Sequence, residues 1–323
     1  VLVLETVWVC NYFTLENLEI IMSNSIDDVS NQSIIVETCL DINSRDAIAS
    51  KGSFKGLLGD APFGSTAVVN GLSQQLIHQL QLLIPGVFVS YDDLNVDLGD
   101  AAFPYVQTPG KQALQKAIQA RGVKLLVNSS YRTIAQQMLL FNDRFKNPNP
   151  VAPPGRSNHQ TGLAIDIEDP RGWEPFLIAQ GWQPLPGDDP HFDYLGSGTT
   201  DIRRDSILAF QKLWNINNPN EKITEDGGFA EGGETEGALN RSPAFGFAKA
   251  PWDDNPRVLK FRQPIMEGTD VVRLQEALKK AGFTVSADGE FGPGTDKAVK
   301  EFQKQKNLTA DGIVGVKTLE QLA

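Results

Sequence analysis

Cysteine is nearly missing from this chain: Cys10 and Cys39 are the only two among 323 residues. Two thiols do not make a disulfide framework, and neither lies near a histidine, so any metal site must use nitrogen and oxygen ligands. Basic residues are also in deficit, 29 Lys and Arg against 40 Asp and Glu, for a net charge of -11. That balance argues against nucleic acid as a partner, because phosphate binding needs clustered cations. A negative surface mainly favours solubility. Long apolar runs are lacking too. Residues 1–21 come nearest, but Glu5, Glu16 and Glu19 interrupt them, which rules out a membrane span there. The same stretch lacks the basic leader and small-residue cleavage site of a signal peptide. Met22 opens a polar stretch and is a candidate start, and residues 1–45 are expected to be a disordered tail.

The length favours roughly two domains. Residues 69–83 carry Leu72, Leu76, Leu80 and Leu83 on one helical face, and Pro85-Gly86 ends the pattern. A second helix is expected at 111–120, stopped by Gly122, then a buried strand at 124–128 and a helix at 133–145. Strands are expected at 162–167 and from His191 to Leu195, with a short helix at 173–180 between them. Helices and short strands alternate without a βαβ rhythm, so the fold class is α+β. Residues 227–246 are rich in Gly, Glu and Asn, and Ala250 to Pro256 has the composition of a linker. Three amphipathic helices follow, at 268–281, 294–306 and 316–322. Part of that last unit is echoed upstream. Leu274-Gln275, Asp288-Gly289, Phe291, Thr295 and Ala298 find counterparts in Phe210-Gln211, Asp226-Gly227, Phe229, Thr235 and Ala238. A degenerate copy within 205–245 and coincidence among common residues are equally weighted readings of that echo.

Histidine is scarce as well, with three in the chain, and two of them sit in a metal-binding pattern. His159, Asp166 and His191 make a two-histidine, one-carboxylate set, which suits zinc with one coordination position open. An open position makes hydrolysis possible. His159 lies in a polar turn, Asp166 seven residues on along a strand, and His191 on the next strand. Hydrolysis needs a base, and Asp188 or Asp189 could supply it; the spacing of Asp188 is preferred. Arg132, just after a strand, is the candidate for stabilising an oxyanion. Ser157 alone would be a turn residue, and His78, on a helix among glutamines, is expected to be solvated or partly packed.

Taken together, Ser157-x-His159-x-x-Gly162-x-Ala164-x-Asp166, Asp188-x-Pro190-His191 and Ser129-Ser-Tyr131-Arg132-Thr133…Gln137 resemble the zinc D-alanyl-D-alanine carboxypeptidases of the VanY type. Related families are the VanX dipeptidases and the phage L-alanyl-D-glutamate endopeptidases. The resemblance spans roughly residues 95–200. It implies Zn2+ on His159, Asp166 and His191, Asp188 as general base, Arg132 on the scissile carbonyl, and Ser157 and Tyr131 near the substrate. The VanY and VanX members usually carry Glu at the base position, and Asp is closer to the endopeptidase pattern. Residues 264–323, from Gly268-Thr-Asp-Val271 through Asp288-Gly289 and Phe302-Gln303 to Asp311-Gly312 and Thr318, resemble a peptidoglycan-binding domain.

The expected organisation is therefore a tail at 1–45, a small antiparallel-sheet zinc peptidase domain at 46–204, an extension and linker at 205–263, and a three-helix peptidoglycan-binding domain at 264–323. The expected activity is carboxypeptidase action on stem peptides, with endopeptidase cleavage or a non-catalytic zinc-containing wall-binding role as alternatives. Peptidoglycan is the expected partner of a monomeric protein in the periplasm or cell wall.

Overall fold

A computed structural model describes residues 54–147 and 150–322; the expected tail, with both cysteines, lies outside the described residues. The fold is α+β. Helix α1 (Asn70–Leu83) buries Leu72, Leu76 and Leu80, and Leu83 is only partly covered. Strand β1 (Phe88–Ser90) pairs antiparallel with β3 (Tyr105–Gln107), and β2 (Val96–Leu98) lies between them in sequence. Helix α2 (Thr108–Arg121) starts on a proline and ends at Gly122, whose φ of 72° is the left-handed stop that glycine takes without penalty. Then come β4 (Leu125–Ser129), α3 (Ile134–Asn142), β5 (Ala164–Ile167), α4 (Pro170–Ile178), β6 (Trp182–Leu185) and β7 (Asp188–Tyr194).

The main sheet has the order β2-β4-β5-β7-β6; only the β2–β4 pair is parallel. One side of it is closed by α2 and α4, with Leu114, Val127, Ile165, Trp173, Trp182 and Phe192 packed in a single cluster. Strand β7 is longer than its sequence suggests. It begins at Asp188, so both candidate bases are strand residues instead of turn residues, and a register shift opposite Leu185 sets them apart from the regular ladder.

The segment expected as extension and linker contributes to the core at several points. Helix α5 (Arg203–Asn217) drives Phe210, Leu213 and Trp214 into a core shared with α1, α3 and α6 (Glu234–Asn240). Trp252, inside the expected linker, is buried and stacks under the Arg257 guanidinium at 3.8 Å. An aromatic of that size finds more free energy in burial than in a solvated tether.

The C-terminal unit consists of α7 (Thr269–Lys280), α8 (Pro293–Gln305) and α9 (Val316–Leu322) around Val271, Leu278, Phe291, Val299 and Phe302. Its turns are wired by buried glutamines. Gln275 donates to Asp288 Oδ1 (2.8 Å), the Glu290 carbonyl (3.0 Å) and Thr295 Oγ1 (3.0 Å), and accepts from Gly289 N–H (2.8 Å). Gln303 repeats this with Asp311, the Ile313 carbonyl, Thr318 and Gly312 N–H. Gln211 on α5 does the same with Asp226 (3.0 Å), the Gly228 carbonyl (3.2 Å), Thr235 (3.1 Å) and Gly227 N–H (2.8 Å). Each Asp also accepts from the N–H two residues on. That turn suits a following glycine with positive φ, here Gly227, Gly289 and Gly312. The upstream echo in the sequence thus has the same hydrogen-bond geometry as both brackets of the C-terminal unit.

The C-terminal unit is joined to α1 by Gln74, which accepts from Glu267 N–H (3.0 Å) and from Arg257 (2.7 Å). The Glu267 side chain is buried at this junction. Burial and the like charge of Glu290 push its carboxyl up to about 8, against the pull of Arg257, the Gly71 N–H and Lys55. Between its ordinary value of 4.5 and about 8 the folded protein holds this proton more tightly than the unfolded chain. Stability from this group is therefore full at low pH and declines as pH rises through that window. Replacing Glu267 with Gln should flatten the decline, so that the melting temperature of the variant exceeds that of the parent at pH 8 by more than at pH 5. Melting curves across that range check this.

Candidate metal centre

Register places the site. Across three adjacent strands Ser129 on β4 faces Asp166 on β5, and Asp166 faces His191 on β7. A one-residue slip would send Asp166 to the opposite face of the sheet. His159 arrives from a 3-10 turn, Asn158–Thr161, closed by Gly162 at φ 67°, where a Cβ would come within 3.1 Å of the Phe88 ring. The turn is held by Arg132 N–H donating to the His159 carbonyl (3.1 Å) and by Gln160, whose Oε1 accepts from Gly155 N–H (2.7 Å).

Both imidazoles are buried, and their outward nitrogens are spoken for. His159 Nδ1 lies 2.8 Å from the Ser130 carbonyl, so it carries the hydrogen and leaves Nε2 as a lone pair. His191 Nε2 lies 3.0 Å from Asp193 Oδ1, which leaves Nδ1 free in the neutral ring. The two lone pairs converge on one carboxylate: His159 Nε2 is 3.3 Å from Asp166 Oδ2, and His191 Nδ1 is 3.0 Å from Asp166 Oδ1. Bonds of about 2.0–2.1 Å in a tetrahedron put ligand atoms about 3.3 Å apart. The donor set, its spacing and its fixed tautomers therefore fit a zinc-type cation. Among the described residues this trio is the one cluster of three or more such side chains whose ligand atoms lie within 4.8 Å of one another.

The electrostatics agree. Burial, reinforced by the charge of Arg132, lowers the pKa of His159 and keeps it neutral against the pull of Asp166. Burial opposes charge on Asp166, yet its hydrogen bonds to both histidines hold it well below the usual carboxylate range. Burial likewise opposes charge on His191, but Asp166 and Asp193 outweigh it and raise the ring to about 9. A cradle that keeps a proton between two carboxylates also favours a cation in the proton's place.

Arg132 sits between Ser129 and α3. Thr133 caps that helix through a reciprocal box with Gln136, which fixes the chain direction at Arg132. The guanidinium donates to Ser129 Oγ (3.2 Å) and Gln137 Oε1 (3.3 Å) and lies 3.9 Å from Asp166 Oδ2. Burial lowers its pKa, while the charges of Asp166 and Asp188 act to keep it protonated. Asp188 itself is exposed at the start of β7, near enough for its charge to act on Arg132. Asp189 is turned elsewhere, its carboxylate 3.9 Å from the exposed Arg171. A polar cleft of about 270 Å³ opens beside Arg132, bounded by Thr66, Asn128, Ser129 and Gln136.

Ser157 is buried just ahead of the His159 turn, and its hydroxyl does not cap that turn. Tyr131 forms part of the cleft wall, but its hydroxyl bonds to Ser206 Oγ on α5 (2.9 Å), and its ring meets Phe88 edge-on at 4.4 Å. The Tyr131 hydroxyl is thus engaged inside, and the residue as a whole is buried. Asp193, with Asn158 donating to its other oxygen (3.0 Å), escaped sequence reasoning. The signal was available: in a strand, residues two apart share a face, so His191-x-Asp193 pairs a ligand with its own support.

Comparison with known families meets this geometry. Residues 107–183 match the family model of the D-alanyl-D-alanine carboxypeptidases, VanY, and residues 267–322 match that of the peptidoglycan binding domains. The chain joins a VanY-type domain to a peptidoglycan-binding domain. Curated relatives include the N-acetylmuramoyl-L-alanine amidase CwlL of Bacillus licheniformis, 36% identical over 93 residues, which are 27% of this chain and 26% of that protein. A spore cortex-lytic enzyme of Bacillus cereus is 46% identical over 56 residues, 17% of this chain and 22% of the relative. The amidase CwlM of Mycobacterium tuberculosis is 45% identical over 56 residues, 17% and 14% of the two chains. The chain spans about a quarter of the length of the first of these relatives.

Removing the carboxylate that fixes a metal-binding histidine costs about 10–100-fold in metal affinity. Asp193→Ala should therefore weaken binding of added Zn2+ by that order while leaving circular dichroism unchanged. Competition with a chromogenic chelator measures it.

Proposed function

We propose that this protein is a zinc-dependent peptidase of peptidoglycan stem peptides, acting as a D-alanyl-D-alanine carboxypeptidase held at the wall by its C-terminal module. The observation that carries the reading is the convergence of the His159 and His191 lone pairs on Asp166 with Arg132 3.9 Å from that carboxylate. His159, Asp166 and His191 would hold the ion. What zinc supplies when bound is Lewis acidity, which makes water a nucleophile near neutral pH.

The rest falls to the chain's own groups. Asp188 takes the proton from the attacking water and passes it to the leaving amine. Arg132, charged and held by Ser129 and Gln137, faces the oxygen on which negative charge develops. Ser157 and Tyr131 line the approach, the latter through its ring and backbone. The metal trio, Arg132 and Asp188 all come from one chain, and the protein is read as acting as a monomer. Peptidoglycan is its partner, and the wall or periplasm its place of action. Tethering by the C-terminal module raises the local concentration of substrate without demanding a tight active site.

One observation favours internal L-alanyl-D-glutamate cleavage as a second reading. A carboxypeptidase must hold the free terminal carboxylate of its substrate, and among the described residues Arg132 is the one Lys or Arg within 4.0 Å of the Asp166 carboxylate at the centre. An endopeptidase has no such need. Mass spectrometry of defined stem peptides separates the two, since loss of one terminal alanine marks the first and release of an intact peptide from L-alanine marks the second.

Asp188→Ala should lower turnover by about 100-fold or more, the contribution of a general base, and leave zinc content at one ion per chain. Asp189→Ala should change turnover little. If the two variants exchange these phenotypes, the base is Asp189. If neither loses activity on any stem peptide that the parent cleaves, the hydrolytic scheme is wrong. A parent that binds zinc and the wall but cleaves nothing is a non-catalytic wall-binding protein.

A further inference from the structure

The third histidine leads to a different place. His78 on α1 is half-buried, its ring centroid 6.4 Å from that of Trp252, and its Nε2 is enclosed without a hydrogen-bond partner. It borders a cavity of about 170 Å³ between α1 and the segment 257–266 that leads into the C-terminal unit. In a protein of net charge -11, this cavity is lined by Arg257, Lys260 and Arg262. Gln74 and Gln81 on α1 add amide groups.

The counter-charge is incomplete. Arg257 is neutralised by Asp270, at 2.9 and 3.1 Å. Arg262 has Asp92 at 3.7 Å, beyond hydrogen-bond range, and its Nε is buried with no acceptor. Lys260 has no carboxylate within 4.0 Å among the described residues. Burial and the charge of Arg257 both lower the pKa of His78, outweighing the pull of Asp270, which fits a locally positive field. Buried donors without acceptors are uncommon in native proteins and ask for an explanation. Cations gathered in a small concavity, with the lysine free, have the chemistry of an oxyanion receptor.

We propose that this cavity, bounded by His78, Lys260 and Arg262 at the junction of the peptidase and wall-binding units, binds a compact oxyanion of the phosphate or carboxylate type. Its volume admits one such group and excludes a disaccharide, so a larger ligand would enter by a charged substituent. Lys260 and Arg262 neutralise the charge, and the α1 amides complete the shell. Because the walls come from α1 on one side and 257–266 on the other, a bound anion cross-links the two units. The inference does not depend on the peptidase reading.

The test uses the full chain and two probes, inorganic phosphate and acetate, at fixed ionic strength. Titration is followed by amide chemical shifts and by melting temperature. Saturable shifts confined to α1 and 257–266, with a rise in melting temperature, are expected. Lys260→Ala and Arg262→Gln should each weaken binding by about 10-fold, the scale of one charge-assisted contact. Lys260 is exposed, so its variant keeps the fold even if that of Arg262 does not. Stronger binding of phosphate than of acetate assigns the ligand to phosphate esters, and the reverse to carboxylates; either upholds the site. Absence of saturation at millimolar concentration of both probes overturns it, as does undiminished binding in the Lys260 variant.

Discussion

The pairing of Asp166 with His191 across β5 and β7 is the contact on which the rest of the site depends. It is set by backbone register, so the sheet defines the metal cradle before any side chain is chosen. The same register brings Ser129 to the other side of Asp166, and Ser129 in turn positions Arg132. His159 is the single ligand from outside the sheet, and its turn is tied back by the Arg132 N–H. The His159–Asp166–His191 cluster and the Arg132 guanidinium are thus mechanically one assembly. A shift in either would propagate to the other through Ser129 and the His159 carbonyl.

Much of this could be read from the chain. The leucine spacing of α1, Gly122 at the end of α2, and the strand carrying Asp166 all follow from local rules, because burial and turn chemistry act at short range there. That His159, Asp166 and His191 meet was legible because histidine is scarce in this chain and its pattern with Asp166 is specialised. What sequence concealed is what depends on direction. Where Asp188 and Asp189 fall depends on a register shift opposite Leu185, and the hydroxyl of Tyr131 turns inward to Ser206 on a distant helix. Trp252 and the 205–245 segment have loop-like composition, yet both pack. Gly, Asn and Glu there build brackets and caps that only a folded partner can reveal.

The hydrogen bond between Tyr131 and Ser206 also shows how the segment after the main sheet supports the His159–Asp166–His191 cluster. Helix α5 buries Ile207, Phe210 and Trp214, and its Ser206 additionally lies 3.5 Å from the carbonyl of Gln160, next to His159. The residue before Arg132 and the one after His159 therefore share one anchor. The VanY-type match ends at residue 183, but the mechanical support of the centre continues well beyond it.

The three glutamine brackets carry a last consequence. Each closes its turn entirely from within, through a buried amide, an Asp, a Thr and one glycine, and asks nothing of the solvent-facing positions around it. Scaffold and exterior are consequently independent variables. One copy can lie within the main body of the fold while its sisters build the C-terminal unit, and each outer face is at liberty to be rewritten without loosening the knot beneath.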